Sequence, residues 1–222
     1  MSKQDINFIS VYAGLLPVIA GIITLKKNSG SFRLLLLLFI YAFLTDYFVG
    51  YFYVRREINA AKFIFNIYSP IEAGVFSFFI YSIGYSTIVK RLAITGFFIF
   101  LLAWLVLDVD LKNFVWKDNA FNGLFVTSYE IVIAALSAVC LLHITTVENR
   151  LINFPLFWML LGLFIYCFST LFINALVETN MMSEIWYIHN VVNILTQLIF
   201  TWGFLSLIKP APTLQHERPK LL

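Results

Sequence analysis

Apolar residues in this chain come in seven long runs separated by short polar breaks, at 6–25, 34–54, 63–83, 92–108, 124–143, 156–176 and 187–208. Each run is close to the ~20 residues that an α-helix needs to cross a hydrocarbon layer about 30 Å thick. The pattern predicts an all-α, polytopic membrane protein, with seven transmembrane helices in one bundle over 1–208 and a short cytoplasmic tail over 209–222. The first run exceeds the apolar core of a cleavable signal, about 7–15 residues. Lys26 and Lys27 follow it, and Asp5 offsets Lys3 ahead of it, so it is expected to be a retained helix.

Composition agrees: 61% hydrophobic, 18% aromatic and 12% charged residues are too apolar a mixture for a single water-soluble core. Counting Lys and Arg on alternate sides of the helices puts nine on the C-terminal side (Lys26, Lys27, Arg33, Lys90, Arg91, Arg150, Lys209, Arg218, Lys220) and six on the other (Lys3, Arg55, Arg56, Lys62, Lys112, Lys117). The positive-inside rule then predicts N-out, C-in, for a multi-pass membrane protein. The net charge of +3 calls for no nucleic-acid partner, because basic flanks are normal beside a lipid bilayer. The longest connection, 109–123, mixes Phe114, Val115, Trp116 and Phe121 with charges and reads as a connector or as an interfacial lid. No soluble domain is expected, so chemistry would take place within the bundle or at its surfaces, and a signal would pass to a separate partner.

Against this apolar background three carboxylates stand out: Asp46, Glu72 and Glu130. An ionisable group at membrane depth costs a few kcal/mol or more, so several at one level point to a polar pocket. Measured from the expected ends of their runs, these residues and Asn193 lie roughly 9 to 14 Å deep on the side of the N-terminus. The sixth run adds Ser169 and Thr170 near that level, and the first adds Tyr12. In the seventh run His189, Asn193 and Gln197 recur every four residues and share one helical face, flanked by Asn190. In lipid that stripe would leave polar groups unsatisfied, so it is expected to face inward. The plain alternative is interhelical hydrogen bonding that holds helices together.

With no Lys or Arg inside the runs, the carboxylates must be neutralised by His189, a proton, a metal or another bound cation. Glu72, Glu130 and His189 are the donors for a divalent metal, although no H-E-x-x-H spacing is present. No other cofactor is expected. His143 and His189 lie too far apart in depth to share a haem, and the last run has no Lys for a retinal. Cys140 and Cys167 differ in depth by roughly 10 Å, which argues against a disulfide and for buried free thiols. Pro17 with Gly14 and Gly21 marks a kinked, closely packed first helix. Trp104, Trp158 and Trp186 read as interfacial anchors. No internal repeat supports a carrier of two equivalent halves.

The segments PLFWMLLGLFIYCFSTLFINAL and EIWYIHNVVNILTQLIFTWGFL resemble the end of a group of small uncharacterised bacterial seven-helix membrane proteins. The glutamates of their third and fifth helices and an Ile-His-Asn in the seventh are matched here by Glu72, Glu130, His189 and Asn190. The resemblance implies a location in the bacterial inner membrane and an association with sensor kinases. Three functions follow as expectations. The first is a receptor-like or sensory module that binds a small ligand or cation in the polar pocket and acts through a partner. The second is a membrane-embedded hydrolase acting on a lipid, with or without a metal. The third is a proton-coupled transporter.

Overall fold

The computed structural model describes residues 3–110, 115–116, 121–148, 151–176 and 182–208. Among them are seven helical units long and apolar enough to cross a membrane. The first is made of α1 (Lys3–Ala13) and α2 (Leu15–Ile23), followed by α3 (Gly30–Val54), α4 (Ile58–Ile83) and α5 (Thr87–Asp108). Then come α6 (Phe121–Val147), α7 (Pro155–Leu176) and α8 (Met182–Ser206). Several helices outrun their apolar stretch, as α4 does by starting at Ile58. The apolar run marks the width of hydrocarbon, whereas backbone pairing continues into the polar flank.

The first unit is stepped at Gly14. Pro17 has no N–H to donate to the Ala13 carbonyl and its ring crowds that turn; the Gly14 N–H bonds back to Val11 O at 3.1 Å. At the far end of α2, Thr24 Oγ1 donates to Ala20 O at 2.9 Å and Asn28 Nδ2 to Gly21 O at 3.1 Å, so side chains cap the free carbonyls. Lys27 Nζ donates to Ile208 O at 3.0 Å and ties this turn to the end of α8. The tight α3–α4 turn closes on Arg56, whose φ of 60° takes the left-handed conformation common after a helix C-terminus.

Each unit packs on its sequence neighbours, and α8 returns to α1 and α2, which closes the bundle. In addition α4 touches α6 directly, which leaves α5 on the outside of the groove between them. Between apolar helices in lipid there is little hydrophobic drive, so close approach at small residues has to hold the packing. The α7–α8 contact has that form: a Cβ on Gly162 would lie 2.8 Å from Phe200 Cε1, and one on Gly203 3.0 Å from Met159 Cε. Gly162→Ala should therefore destabilise the bundle by about 1–3 kcal/mol through overpacking of a buried ring. Denaturation of the purified variant in the same detergent as the parent tests this, and unchanged stability would show that α7 and α8 separate freely.

Some expected positions turn out differently. Trp104 is not an interfacial anchor but is buried against Phe125, with ring centroids 6.3 Å apart, because α5 turns that face onto α6. Trp158 donates its indole N–H to Ile152 O at 2.9 Å, at a helix end; the Trp186 side chain lies outside the described residues. Cys140 and Cys167 are both buried and free. His143 stacks on Tyr85 with centroids 3.8 Å apart. In the 109–123 connection, β1 (Val109–Asp110) pairs antiparallel with β2 (Val115–Trp116). The rest of that connection up to residue 120, and the 209–222 tail, lie outside the described residues.

Candidate functional site

Five helices, α3, α4, α6, α7 and α8, enclose a cavity of about 250 Å³. At ~30 Å³ per liquid water it has room for roughly eight waters. That lies below the ~300 Å³ at which drug-sized pockets begin. Its lining residues run from the middle of the bundle, at Leu38, Phe76 and Phe200, toward the end that carries the α3–α4 turn. Asp46, Glu72, Glu130, His189, Asn193 and Gln197 all line it, so the carboxylates and the α8 stripe meet at one place. Asp46 and Phe65 are exposed and mark its open side.

Glu72 is 3% exposed and accepts hydrogen bonds from three tyrosines. Tyr68 donates to Oε1 at 2.6 Å, Tyr166 donates to the same oxygen at 2.8 Å, and Tyr129 donates to Oε2. The donors come from α4, α6 and α7, so this carboxylate joins three helices across the cavity wall. Because α4 starts at Ile58, Glu72 is 72 − 58 = 14 residues in, about 21 Å along the helix and near its middle.

Glu130 is the opposite case. It is fully buried at 0% exposure, and neither of its carboxylate oxygens has a hydrogen-bond partner among the described residues. Its neighbour Tyr129 points to Glu72, and the ~100° turn between successive helical residues separates the two side chains. One helix thus presents a donor to a satisfied carboxylate and an unsatisfied carboxylate side by side.

The α8 stripe faces inward. Asn193 Nδ2 donates to the buried Ser10 Oγ at 3.0 Å, and Gln197 Nε2 donates to Asn193 Oδ1 at 3.2 Å. Gln197 Oε1 is buried and unpartnered. Asn193 therefore links α8 to α1 as well as lining the cavity. Ser10→Ala and Asn193→Ala should be coupled by about 0.6 kcal/mol, and by no more than ~1.7, in a double-mutant cycle on unfolding. Additive effects would leave Asn193 with no role as a tie between helices.

Thr170 lines the cavity, with its hydroxyl on Tyr166 O at 2.9 Å. Three expected supporting residues do not. Ser169, one position away, turns its hydroxyl to Ile165 O at 2.7 Å on its own helix. Asn190 is buried but sits a helical step off the stripe, and Tyr12 lies on α1, which contributes nothing to the lining. Tyr12 instead packs on Phe8 and Phe43.

The tyrosine set was missed by sequence reasoning. Tyr68 had a signal, since it is one helical turn before Glu72 on the same face; Tyr129 and Tyr166 had none, because only packing brings three helices to one carboxylate. Among the described residues no three His, Cys, Asp or Glu side chains gather into a group able to hold a metal ion, so Glu72, Glu130 and His189 do not form the expected donor set. No family model, curated protein or solved structure matches the chain.

Proposed function

We propose that this chain is a multi-pass protein of the bacterial inner membrane, with its N-terminus outside, that works as a receptor-like sensory module. A small ligand or cation occupies the cavity, and the resulting shift of helices passes to a membrane or cytoplasmic partner such as a sensor kinase. Glu130 carries this reading: a carboxylate fully buried with both oxygens unpartnered has a place for something that donates to it. Glu72, already satisfied by its tyrosines, sets the wall. Asp46 faces the open side, where a ligand would enter, and Asn193 relays the state of the cavity to α1. A metal-dependent lipid hydrolase is less well supported, because the donors do not cluster and the space is small for an acyl chain.

Two measurements test the proposal. Reporters fused at the two ends should place the N-terminus outside and the C-terminus in the cytoplasm; the reverse would put the cavity in the cytoplasmic half. Native mass spectrometry of the protein in nanodiscs should reveal a small-molecule adduct that is lost in Ala42→Trp, which fills the cavity from α3. Proton flux in reconstituted vesicles driven by a ligand gradient would make the protein a transporter instead, and turnover of the nanodisc lipid would make it a hydrolase.

A further inference from the structure

We infer that the cavity takes a small organic ammonium: a cationic nitrogen bearing N–H groups on an apolar body, roughly six to ten non-hydrogen atoms in all. This rests on reading the cavity as a ligand site, and it follows from the balance of donors and acceptors on the wall. A hydroxyl has one hydrogen to give. Tyr68, Tyr129 and Tyr166 give theirs to Glu72, Thr170 gives its hydrogen to Tyr166 O, and Ser69 gives its hydrogen to Phe65 O. The Asn193 amide donates to Ser10 and the Gln197 amide to Asn193. Each of those amides keeps a second hydrogen, and His189 also lines the cavity; among the described residues the buried polar atoms of the lining without a partner are nevertheless all acceptors, both oxygens of Glu130 and the Oε1 of Gln197.

Charge points the same way. Three carboxylates line the cavity, and among the described residues no Lys or Arg does. An anion, or a neutral ligand rich in carbonyls, would leave those buried oxygens without a donor. An ammonium supplies both missing quantities, hydrogens for the orphan oxygens and positive charge for the carboxylates, in charge-assisted bonds stronger than neutral ones. A bare inorganic cation fits only part of the wall. The lining also holds Phe39, Phe65, Phe76 and Phe200, and among the described residues no three His, Cys, Asp or Glu side chains gather to hold an ion. Aromatic rings beside carboxylates suit an organic cation, which the ring quadrupole attracts while the carbon body fills the apolar side.

Cyclohexylammonium chloride is a probe of suitable size and is fully protonated at neutral pH. Titrated into the purified protein in nanodiscs, it should raise the denaturation temperature and bind with a measurable Kd, whereas cyclohexanol and cyclohexanecarboxylate at equal concentration should not. Glu130→Gln should weaken binding by roughly thirty-fold or more, since the ammonium would lose its charged partner in a desolvated site. Ala42→Trp should abolish it. Should either variant fail to fold, the comparison of the three probes on the parent protein still decides the matter. Equal binding of cyclohexanol would overturn the inference and leave a neutral-ligand site; an equal effect of sodium or potassium chloride would replace it with an inorganic cation. Binding that survives Ala42→Trp would place the amine outside the cavity, and binding of no probe would also sink the inference. In those last two cases the adduct lost in Ala42→Trp decides separately whether the cavity is a ligand site at all.

Discussion

Glu130→Met should make the unliganded protein more stable by about 1–3 kcal/mol while it removes ligand binding, because a buried polar group without a partner carries its full desolvation penalty in the empty state. Glu130 is fully buried and both its oxygens lack a partner, so an apolar side chain of similar volume loses no hydrogen bond and gains contacts with the same neighbours. Reversible unfolding of the parent and the variant in one detergent measures the difference, and ligand titration measures the loss. A variant less stable than the parent by 1 kcal/mol or more would mean that the carboxylate is satisfied in the folded protein, and the case for a ligand at that position would collapse. A gain in stability with loss of binding is the trade expected where a site keeps an unsatisfied group ready for its ligand.

Glu72→Ala should act with the opposite sign and destabilise the protein by about 2–4 kcal/mol. The substitution strands the hydroxyls of Tyr68, Tyr129 and Tyr166, the first two on buried side chains, and unties α4 from α6 and α7. Glu72→Gln keeps one oxygen as an acceptor and offers a donor in place of the other, so it should recover about half of the loss. Replacing any one tyrosine by Phe leaves Glu72 with two donors and should cost about 1 kcal/mol. Unfolding of the series Glu72→Ala, Glu72→Gln and Tyr166→Phe in that order of severity would establish the tie. Equal, small effects throughout would show that the three helices are held by apolar packing alone. The two glutamates line the same cavity and differ only in whether neighbours satisfy them, so the sign difference between their substitutions is the sharpest single test of the site.

Depth was counted from the ends of apolar runs, which mark the hydrocarbon, so the extension of α4 to Ile58 through polar residues leaves that count untouched. Asp46, Glu72 and Glu130 line one cavity, and tyrosines reach across from α6 and α7 to meet Glu72.

What the sequence determined by itself was the count and kind of elements. Crossing hydrocarbon requires each segment to satisfy its own backbone and to be apolar for about 20 residues, and both are local properties legible in seven runs. The break at Gly14 was legible for the same reason, since Pro17 acts on the turn before it. The face shared by His189, Asn193 and Gln197 was legible from spacing along one helix, and the same spacing put Tyr68 one turn before Glu72, although that pairing was missed. The rotation of each helix about its own axis was not. That angle is set by which ridges fit which neighbours, here Gly162 against Phe200 and Gly203 against Met159. Rotation alone decides that Tyr129 reaches Glu72 while the adjacent Glu130 finds no partner among the described residues, that Thr170 lines the cavity while Ser169 does not, and that Tyr12 stays outside. The carboxylates were visible in the chain as three similar residues; tertiary packing made one a satisfied joint between helices and left another open to a ligand, because a hydrogen bond depends on distances between helices that no single helix contains.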